Sequence, residues 1–261
     1  MKETDYLAGR VRELANKAYQ NEYITHTDFL SASELASVYD GMIKEKEPVH
    51  FCLYGGREEA DRNVLVFLPS YLDAENFQLQ EAAEPQVVAC IRVLPVNARF
   101  ADALNHRDYL GALMNMGIER DKIGDILTAR EEAKAYIFVM KDMAGLVCSE
   151  LIRIKHTSVK CEEVLPGECD IYPEFEELEG SVASERLDVI LSFVYHLSRA
   201  DAQHLIDAQE VYVDGRTAFS GGYDLKTGVK VSVRGYGKFI YEGQTGTSRK
   251  GRLFVQVKIY K

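Results

Sequence analysis

Between Cys161 and Gly180 the chain reads CEEVLPGECDIYPEFEELEG, with eight acidic residues, no basic one, two prolines and two glycines. Such a stretch repels itself and lacks helical or strand periodicity, so it predicts an extended linker over 166–180. A separate unit is then expected over 181–261. The break also divides the charge. The whole chain carries 31 Lys and Arg against 41 Asp and Glu, a net charge of −10. Residues 181–261 hold 12 basic and 8 acidic residues, a local +4, which leaves 19 against 33, or −14, in residues 1–180. A basic portion on an acidic chain points to nucleic acid as its partner.

The 261 residues are enough for two or three domains, and 46% hydrophobic residues can fill their cores. No run approaches the roughly 18 apolar residues of a membrane span, so no membrane partner is expected. The opening MKETDYLAGRVRELANKAY is charged and amphipathic, unlike a signal peptide. Cys52, Cys90, Cys148, Cys161 and Cys169 are scattered and odd in number, which predicts reduced thiols in a cytoplasm. Their spacing fits no zinc pattern, and Gly55-Gly56 is followed by no P-loop Lys-Ser/Thr. No metal, cofactor or small-molecule substrate is expected.

The pattern along the chain predicts an α+β protein. Residues 1–84 read as an N-terminal α+β domain. Helices are expected over 5–20 and about 28–44, the second entered through Thr27-Asp28, and strands at VHFCLY and NVLVFLP. Residues 85–165 give strand VVACIRVLP, a helix, strands around DILTA and AYIFVM, a helix through DMAGLVCSELIRI, and strand SVKCEEV. That order is the βαββαβ, ferredoxin-like arrangement shared by RNA-recognition modules. Its first helix contains HRDYL, which looks like a kinase catalytic loop. A kinase needs Asn five residues after Asp108, where Leu113 stands, and Asn115 falls two residues too late. Asn105 as N-cap, Asp108 closing a capping box and Gly117 ending the helix explain the same residues. The basic cluster Arg153, Lys155, His156 and Lys160 follows the second helix and reads as a solvated helix end.

In residues 181–261, Ser184 is a candidate cap for a helix bearing Leu187, Ile190, Leu191 and Val194. Ser198 opens a second helix with Asp201 in its first turn and Ala202, Leu205 and Ile206 inward. Alternating strands follow at VYVDG, VKVSVRG and FVQVKIY. Arg186-Leu187-Asp188, Ser198-Arg199, Leu205-Ile206, Val211 to Gly215 and Val231-x-Val233-Arg234 resemble the S4 RNA-binding domain. With HRDYLGALMNMGIERDKIGDIL and SVRGYGKF, nearly the whole chain resembles the YlmH family of bacterial S4-domain proteins. The resemblance implies an L of two helices packed on a small sheet, with RNA docked along the helices. It also implies a role on the large ribosomal subunit with peptidyl-tRNA, in quality control of stalled translation. The sequence departs from the family pattern at Gln209 (usually Gly), Glu210 (usually basic or neutral), Asp214 (usually Asn) and Val229 (usually Asp). Glu210 and Asp214 add negative charge beside the expected RNA face.

Phosphates call for guanidinium and ammonium groups on one face, because neutralising them releases counterions. Arg186 and Arg199, at the starts of the two helices, combine a two-pronged fork with positive helix ends. Gln203 lies one turn beyond Arg199. Arg216, Lys230, Arg234 and Lys238 are expected to continue the track onto the sheet, and Arg249, Lys250 and Arg252 form a late basic cluster. Two other classes compete with a non-catalytic RNA- and ribosome-binding protein. One is an RNA-modifying enzyme, since ERLD is similar to the Arg-Leu-Asp of pseudouridine synthases. The expected Thr-x-Gly is missing after Asp188, no methyltransferase glycine loop follows a strand, and no residue is assigned a catalytic role. The other is a protein-interaction factor, linked to cell division, that uses the acidic domains.

Overall fold

The computed structural model describes residues 2–42, 50–58, 60–129, 134–249 and 251–261. The chain forms two compact units, Met1–Tyr172 and Pro173–Lys261, of mixed helix and sheet. Among the described residues no helix is long and apolar enough to cross a membrane.

The first unit starts with α1 (Lys2–Asn21), β1 (Thr25–Leu30), α2 (Ala32–Met42), β2 (Phe51–Tyr54), β3 (Asn63–Phe67) and α3 (Ala74–Ala83). The strands form an antiparallel sheet in the order β1-β3-β2. In α1, Val11, Leu14 and Ala18 recur at helical spacing, and with Leu35 and Val38 of α2 they cover Leu65 and Phe67 on one sheet face. The expected helix entry at Thr27-Asp28 is displaced. Thr25, Thr27 and Phe29 are the inward residues of β1, and the Thr27 hydroxyl accepts from the Leu65 amide at 3.0 Å. The helix starts after Ser31, whose amide donates to Glu34 while its hydroxyl accepts from the Glu34 amide.

The unit continues through β4 (Val88–Pro95), α4 (His106–Asn115), β5 (Ile123–Ala129), β6 (Lys134–Met140), α5 (Ala144–Glu150), β7 (Arg153–Ile154) and β8 (Thr157–Val164). All neighbours in the order β5-β6-β4-β8-β7 are antiparallel. Apart from the short β7, this is the βαββαβ arrangement. The α4 start has its capping box: the Asn105 side chain accepts from the Arg107 amide at 2.9 Å and Asp108 from the Asn105 amide at 3.0 Å. Gly117, at φ +84°, ends the helix.

Both faces of this sheet are apolar. Ala89, Ile91 and Val93 of β4, with Ile137 and Val139 of β6, pack under α4 and α5. Val88, Cys90, Tyr136, Phe138 and Val164 point the other way, into one core with Phe29, Tyr54, Val64, Val66 and Phe77. A core therefore runs across the expected boundary at 84/85, and residues 1–84 and 85–165 belong to one compact unit. At Gly56 the β2–β3 connection lies so close to Phe138 that an added Cβ would sit 2.5 Å from its ring.

The second unit contains β9 (Phe175–Val182), α6 (Leu187–Tyr195), α7 (Arg199–Asp207), β10 (Val211–Val213), β11 (Arg216–Thr217), β12 (Val229–Val233), β13 (Gly237–Thr247) and β14 (Leu253–Tyr260). Its sheet runs β11-β10-β12-β13-β14-β9. Leu187, Ile190 and Leu191 of α6 and Ala202 and Ile206 of α7 pack on Val231, Phe239, Tyr241, Val255 and Val257. Two left-handed residues bound the helices: His196 (φ +53°) ends α6, and Gln209 (φ +59°) turns the chain after α7. A left-handed Gln costs about 1–2 kcal/mol that a glycine would not. Asp214-Gly215, both at positive φ, make the tight turn between β10 and β11.

The acidic segment is corrected here. Residues 175–180 of the expected linker, continued by Ser181 and Val182, form edge strand β9, paired with β14 from Val182–Leu253 to Phe175–Tyr260. Leu178 and Val182 belong to the core or pack against it, and Phe193 lies over Gly180, where an added Cβ would meet its ring at 2.3 Å. Glu177 and Glu179 take the other face, with Glu177 opposite Lys258, and Glu176 is exposed at the end of the face that bears Leu178. Upstream, Cys169 and Ile171 pack in the first unit and Lys134 holds Asp170 at 2.5 Å, which leaves a short join at 172–174. Limited proteolysis is expected to cut there. A fragment from Pro173 should unfold cooperatively when followed by circular dichroism, whereas one from Ala183, lacking β9, should be unfolded or strongly destabilised. Equal stability of the two fragments would contradict this role for β9.

Candidate nucleic-acid interface

The corner between α6 and α7 is built from the chain on both sides of it. Arg186, not Ser184, is the N-cap of α6 (φ −60°, ψ 141°), which puts Asp188 in the first helical turn. The first α6 amides are capped by a loop from later in the chain. Leu187 donates to the Tyr223 carbonyl at 2.8 Å and Asp188 to the Gly221 carbonyl at 3.2 Å, while the Leu225 amide donates back to Glu185 at 3.0 Å. Gly221 is required for this approach: a Cβ there would lie 2.3 Å from Gln203 Oε1 and 2.9 Å from Asp188 Cβ. At α7 the Ser198 hydroxyl accepts from the Asp201 amide at 3.1 Å and donates to its carboxylate at 2.7 Å. Both helix starts thus have internal caps, so anion recognition here falls to side chains rather than to bare helix ends.

Those side chains converge on Asp188. Its carboxylate, 6% exposed, accepts from Arg186 Nε and Nη2 at 3.2 Å each, and from Arg199 Nη2. The two arginine side chains are themselves 46% and 50% exposed. Burial alone would raise the Asp188 pKa, but the hydrogen bonds and charges of Arg186 and Arg199 outweigh it and hold the carboxyl below the usual aspartate range. The same bond raises the Arg186 pKa. Two guanidiniums against one carboxylate leave one net positive charge, locked at neutral pH and facing solvent. Gln203, one turn along α7, donates to Asp207 at 2.8 Å and lines the same notch through its contact with Gly221.

Lys230 and Lys238 do not continue the corner onto the sheet. Val229, Val231 and Val233 face the core, so Lys230 points to the opposite side of the sheet. Lys238 shares that side, and the two ammonium groups lie 5.5 and 4.7 Å from the centre of the Tyr260 ring. Arg234 is exposed in the β12–β13 turn, its amide bonded to the Glu210 carbonyl at 2.9 Å. Arg216 lies on β11, which leads into the capping loop. Arg252 Nε donates to Ser181 Oγ at 2.9 Å, pinning β14 to β9, and Arg249 is exposed in the β13–β14 connection. Lys250 lies outside the described residues.

Of the departures, Asp214 is structural: its carboxylate accepts from the Lys230 amide at 2.9 Å. Val229 is a buried core residue. Sequence reasoning missed Phe219 and Tyr223, 76% and 44% exposed, on either side of Gly221 in the capping loop. The available signal was the string AFSGGYDL, a paired glycine flanked by aromatics. Exposed aromatic rings suit stacking with unpaired bases.

Residues 91–166 match the family model described as "Putative RNA-binding domain in YlmH", and residues 185–231 match the S4 domain. The chain is 27% identical over 232 residues to the Bacillus subtilis (strain 168) "Ribosome-associated protein quality control protein P2", covering 87% of this chain and 83% of that one. The solved structure "Cell division protein ylmH from Streptococcus pneumoniae" aligns with a TM-score of 0.46 and 19% identity, over 65% of this chain and 95% of that chain.

Asp188→Asn separates charge from positioning. It adds one positive unit at the corner, so bulk electrostatics alone would tighten RNA binding. Loss of the carboxylate that aligns Arg186 and Arg199 should instead weaken it, with a stability loss of about 1–2 kcal/mol, the lower part of the range for charged hydrogen bonds because both arginines are half exposed. Asp188 has a lowered folded-state pKa, so its contribution is present above the unfolded-state value, near the ordinary 3.8, and is lost as pH falls through the folded value. The wild-type minus variant stability difference should therefore be flat from neutral pH to about pH 5 and shrink below about pH 4. Denaturant titrations across pH, with RNA affinity by fluorescence anisotropy, check both parts.

Proposed function

We propose, from the chain's membership of the YlmH family of S4-domain proteins, that it is a non-catalytic RNA-binding factor of the ribosome. In this reading it binds rRNA and tRNA on the large subunit during quality control of stalled translation, in the cytoplasm. The observation that carries the proposal is the pair of guanidiniums aligned by a buried carboxylate at the α6–α7 corner. Each guanidinium has five N–H donors, and Asp188 occupies two on Arg186 and one on Arg199. The remaining donors, fixed relative to one another, suit the non-bridging oxygens of a phosphate, with Gln203 placed for ribose or phosphate. The name of the Bacillus subtilis relative supports the ribosomal setting.

The non-catalytic reading has its own support. Asp188 is the carboxylate that a pseudouridine-synthase-like mechanism would need as nucleophile. Here both its oxygens accept from arginines, and the Gly221 loop closes over it. Its chemistry is that of a positioning group.

Arg186→Ala and Arg199→Ala should each weaken binding to purified rRNA and tRNA and flatten the plot of log affinity against log salt by roughly 0.7–0.9 per lost phosphate contact. Arg199→Lys should restore binding only in part, because an ammonium lacks the planar fork. Arg10→Ala is the control, since its guanidinium is held in a surface pair with Glu13 at 3.2 Å. With folding confirmed by circular dichroism, unchanged affinity and slope in both alanine variants would refute the corner as the RNA site.

A further inference from the structure

The first unit contains the domain matched to an RNA-binding model, yet its route to RNA cannot be that of an RNA-recognition module. Such modules stack bases on the sheet face away from their helices. In this chain that face carries Val88, Cys90, Tyr136 and Phe138, buried in the core shared with β1, β2, β3 and α3. RNA that reaches this unit must use another surface.

We infer that the surface is the rim where the β4–α4 connection meets the β7–β8 hairpin, and that its ligand is a single-stranded RNA segment with one base stacked on Phe100. The inference deepens the RNA-binding reading and does not depend on the α6–α7 corner. The two segments are tied at several points. The Val96 amide donates to the Ser158 carbonyl at 2.9 Å, the Asp102 amide to Thr157 Oγ1 at 2.7 Å, and the His156 amide to the Asp102 carboxylate at 3.0 Å. Lys155 Nζ, 2.7 Å from Asp108, brings the start of α4 to the same place. Phe100 therefore sits on a short braced bridge, and the residue is 78% exposed.

Charge complementarity selects a phosphate ligand. Stretches 96–107 and 151–160 hold five Lys and Arg and one Asp, within a portion of the chain that is otherwise strongly acidic. Elsewhere in the unit several cations are engaged by carboxylates, Lys17 by Glu13, Arg92 by Glu162 and Lys122 by Asp28, and the part-buried Arg62 and Arg120 by backbone carbonyls. Among the described residues, Arg99, Arg107 and Arg153 have no carboxylate within ion-pair distance, and Lys155 engages the cap residue Asp108. An exposed ring among arginines that lack carboxylate partners is the combination that single strands require, a stacking surface with phosphate contacts beside it. The basic cluster that reads in sequence as a solvated helix end is one half of this rim.

The test uses the full-length chain and an oligouridine of about 12 nucleotides bearing thiouridine, long enough for one binding site. Photocrosslinking followed by mass spectrometry should place RNA on the peptide containing Phe100. Phe100→Leu, which keeps an apolar side chain but removes the ring, should weaken binding roughly 5- to 100-fold. The double change Arg99→Ala with Arg153→Ala should flatten the salt slope by about 1.4, two single-strand phosphate contacts. All three side chains are exposed, so thermal unfolding should not change. The Phe100 crosslink should persist in the Arg186→Ala, Arg199→Ala protein, so failure of one site is told apart from failure of the other. Rim variants with unchanged RNA affinity and slope would overturn the inference. If the same variants lose binding to polyglutamate, the rim is a docking surface for an acidic protein.

Discussion

A carboxylate removed from water beside two arginines sets the chemistry of the second unit. Asp188 would be costly to bury alone, because a desolvated charge without partners loses several kcal/mol. Arg186 and Arg199 compensate it from the solvent side, so their half-exposed guanidiniums gain fixed positions without being buried. The loop through Gly221 closes the third side, where a methyl group would collide with Gln203 and Asp188. Loop, helix starts and arginines are therefore one mechanical assembly. An RNA backbone would meet groups whose orientation was settled on folding, which lowers the ordering cost of binding.

The first unit depends on a different constraint, a sheet with two apolar faces. Alternation along β4 sends Ala89, Ile91 and Val93 under the helices and Val88 and Cys90 toward the N-terminal strands. Covering both faces makes the N-terminal portion a structural lid on the βαββαβ sheet and removes the surface on which related topologies stack bases. Electrostatics follows the same division. Most carboxylates of this portion neutralise neighbouring cations or remain solvated, and among the described residues the exposed arginines without carboxylate partners, Arg99, Arg107 and Arg153, lie at one rim, whereas the part-buried Arg62 and Arg120 donate to backbone carbonyls.

Local rules were legible in the residues, and tertiary partners were not. Asn105, Asp108 and Gly117 announced a capped helix because capping acts within a single turn. The βαββαβ order followed from alternation and spacing, and the two helices after Ser184 from their apolar stripes. The boundary at 84/85 did not follow, because periodicity reports that a face is buried without saying against what. Strand β9 was hidden by its glutamates: five of its eight positions are Phe, Leu, Gly, Ser and Val, but the acidic face dominates the composition. Lys230 and Lys238 were grouped with Arg186 although the alternation of Val229, Val231 and Val233 already assigns Lys230 to the other side. Phe219 and Tyr223 lie in a loop, where no period marks a functional side chain.

The central claim, that Asp188 holds Arg186 and Arg199 in register for phosphate, is tested most directly by NMR of the arginine Nε–Hε groups. In free protein at neutral pH, the Arg186 Nε–Hε signal should be sharp and slow to exchange because it donates to Asp188. Titration with RNA should shift Arg186 and Arg199 together, and Asp188→Asn should broaden both before any RNA is added. Sharp arginine signals that ignore both the substitution and the RNA would contradict the claim.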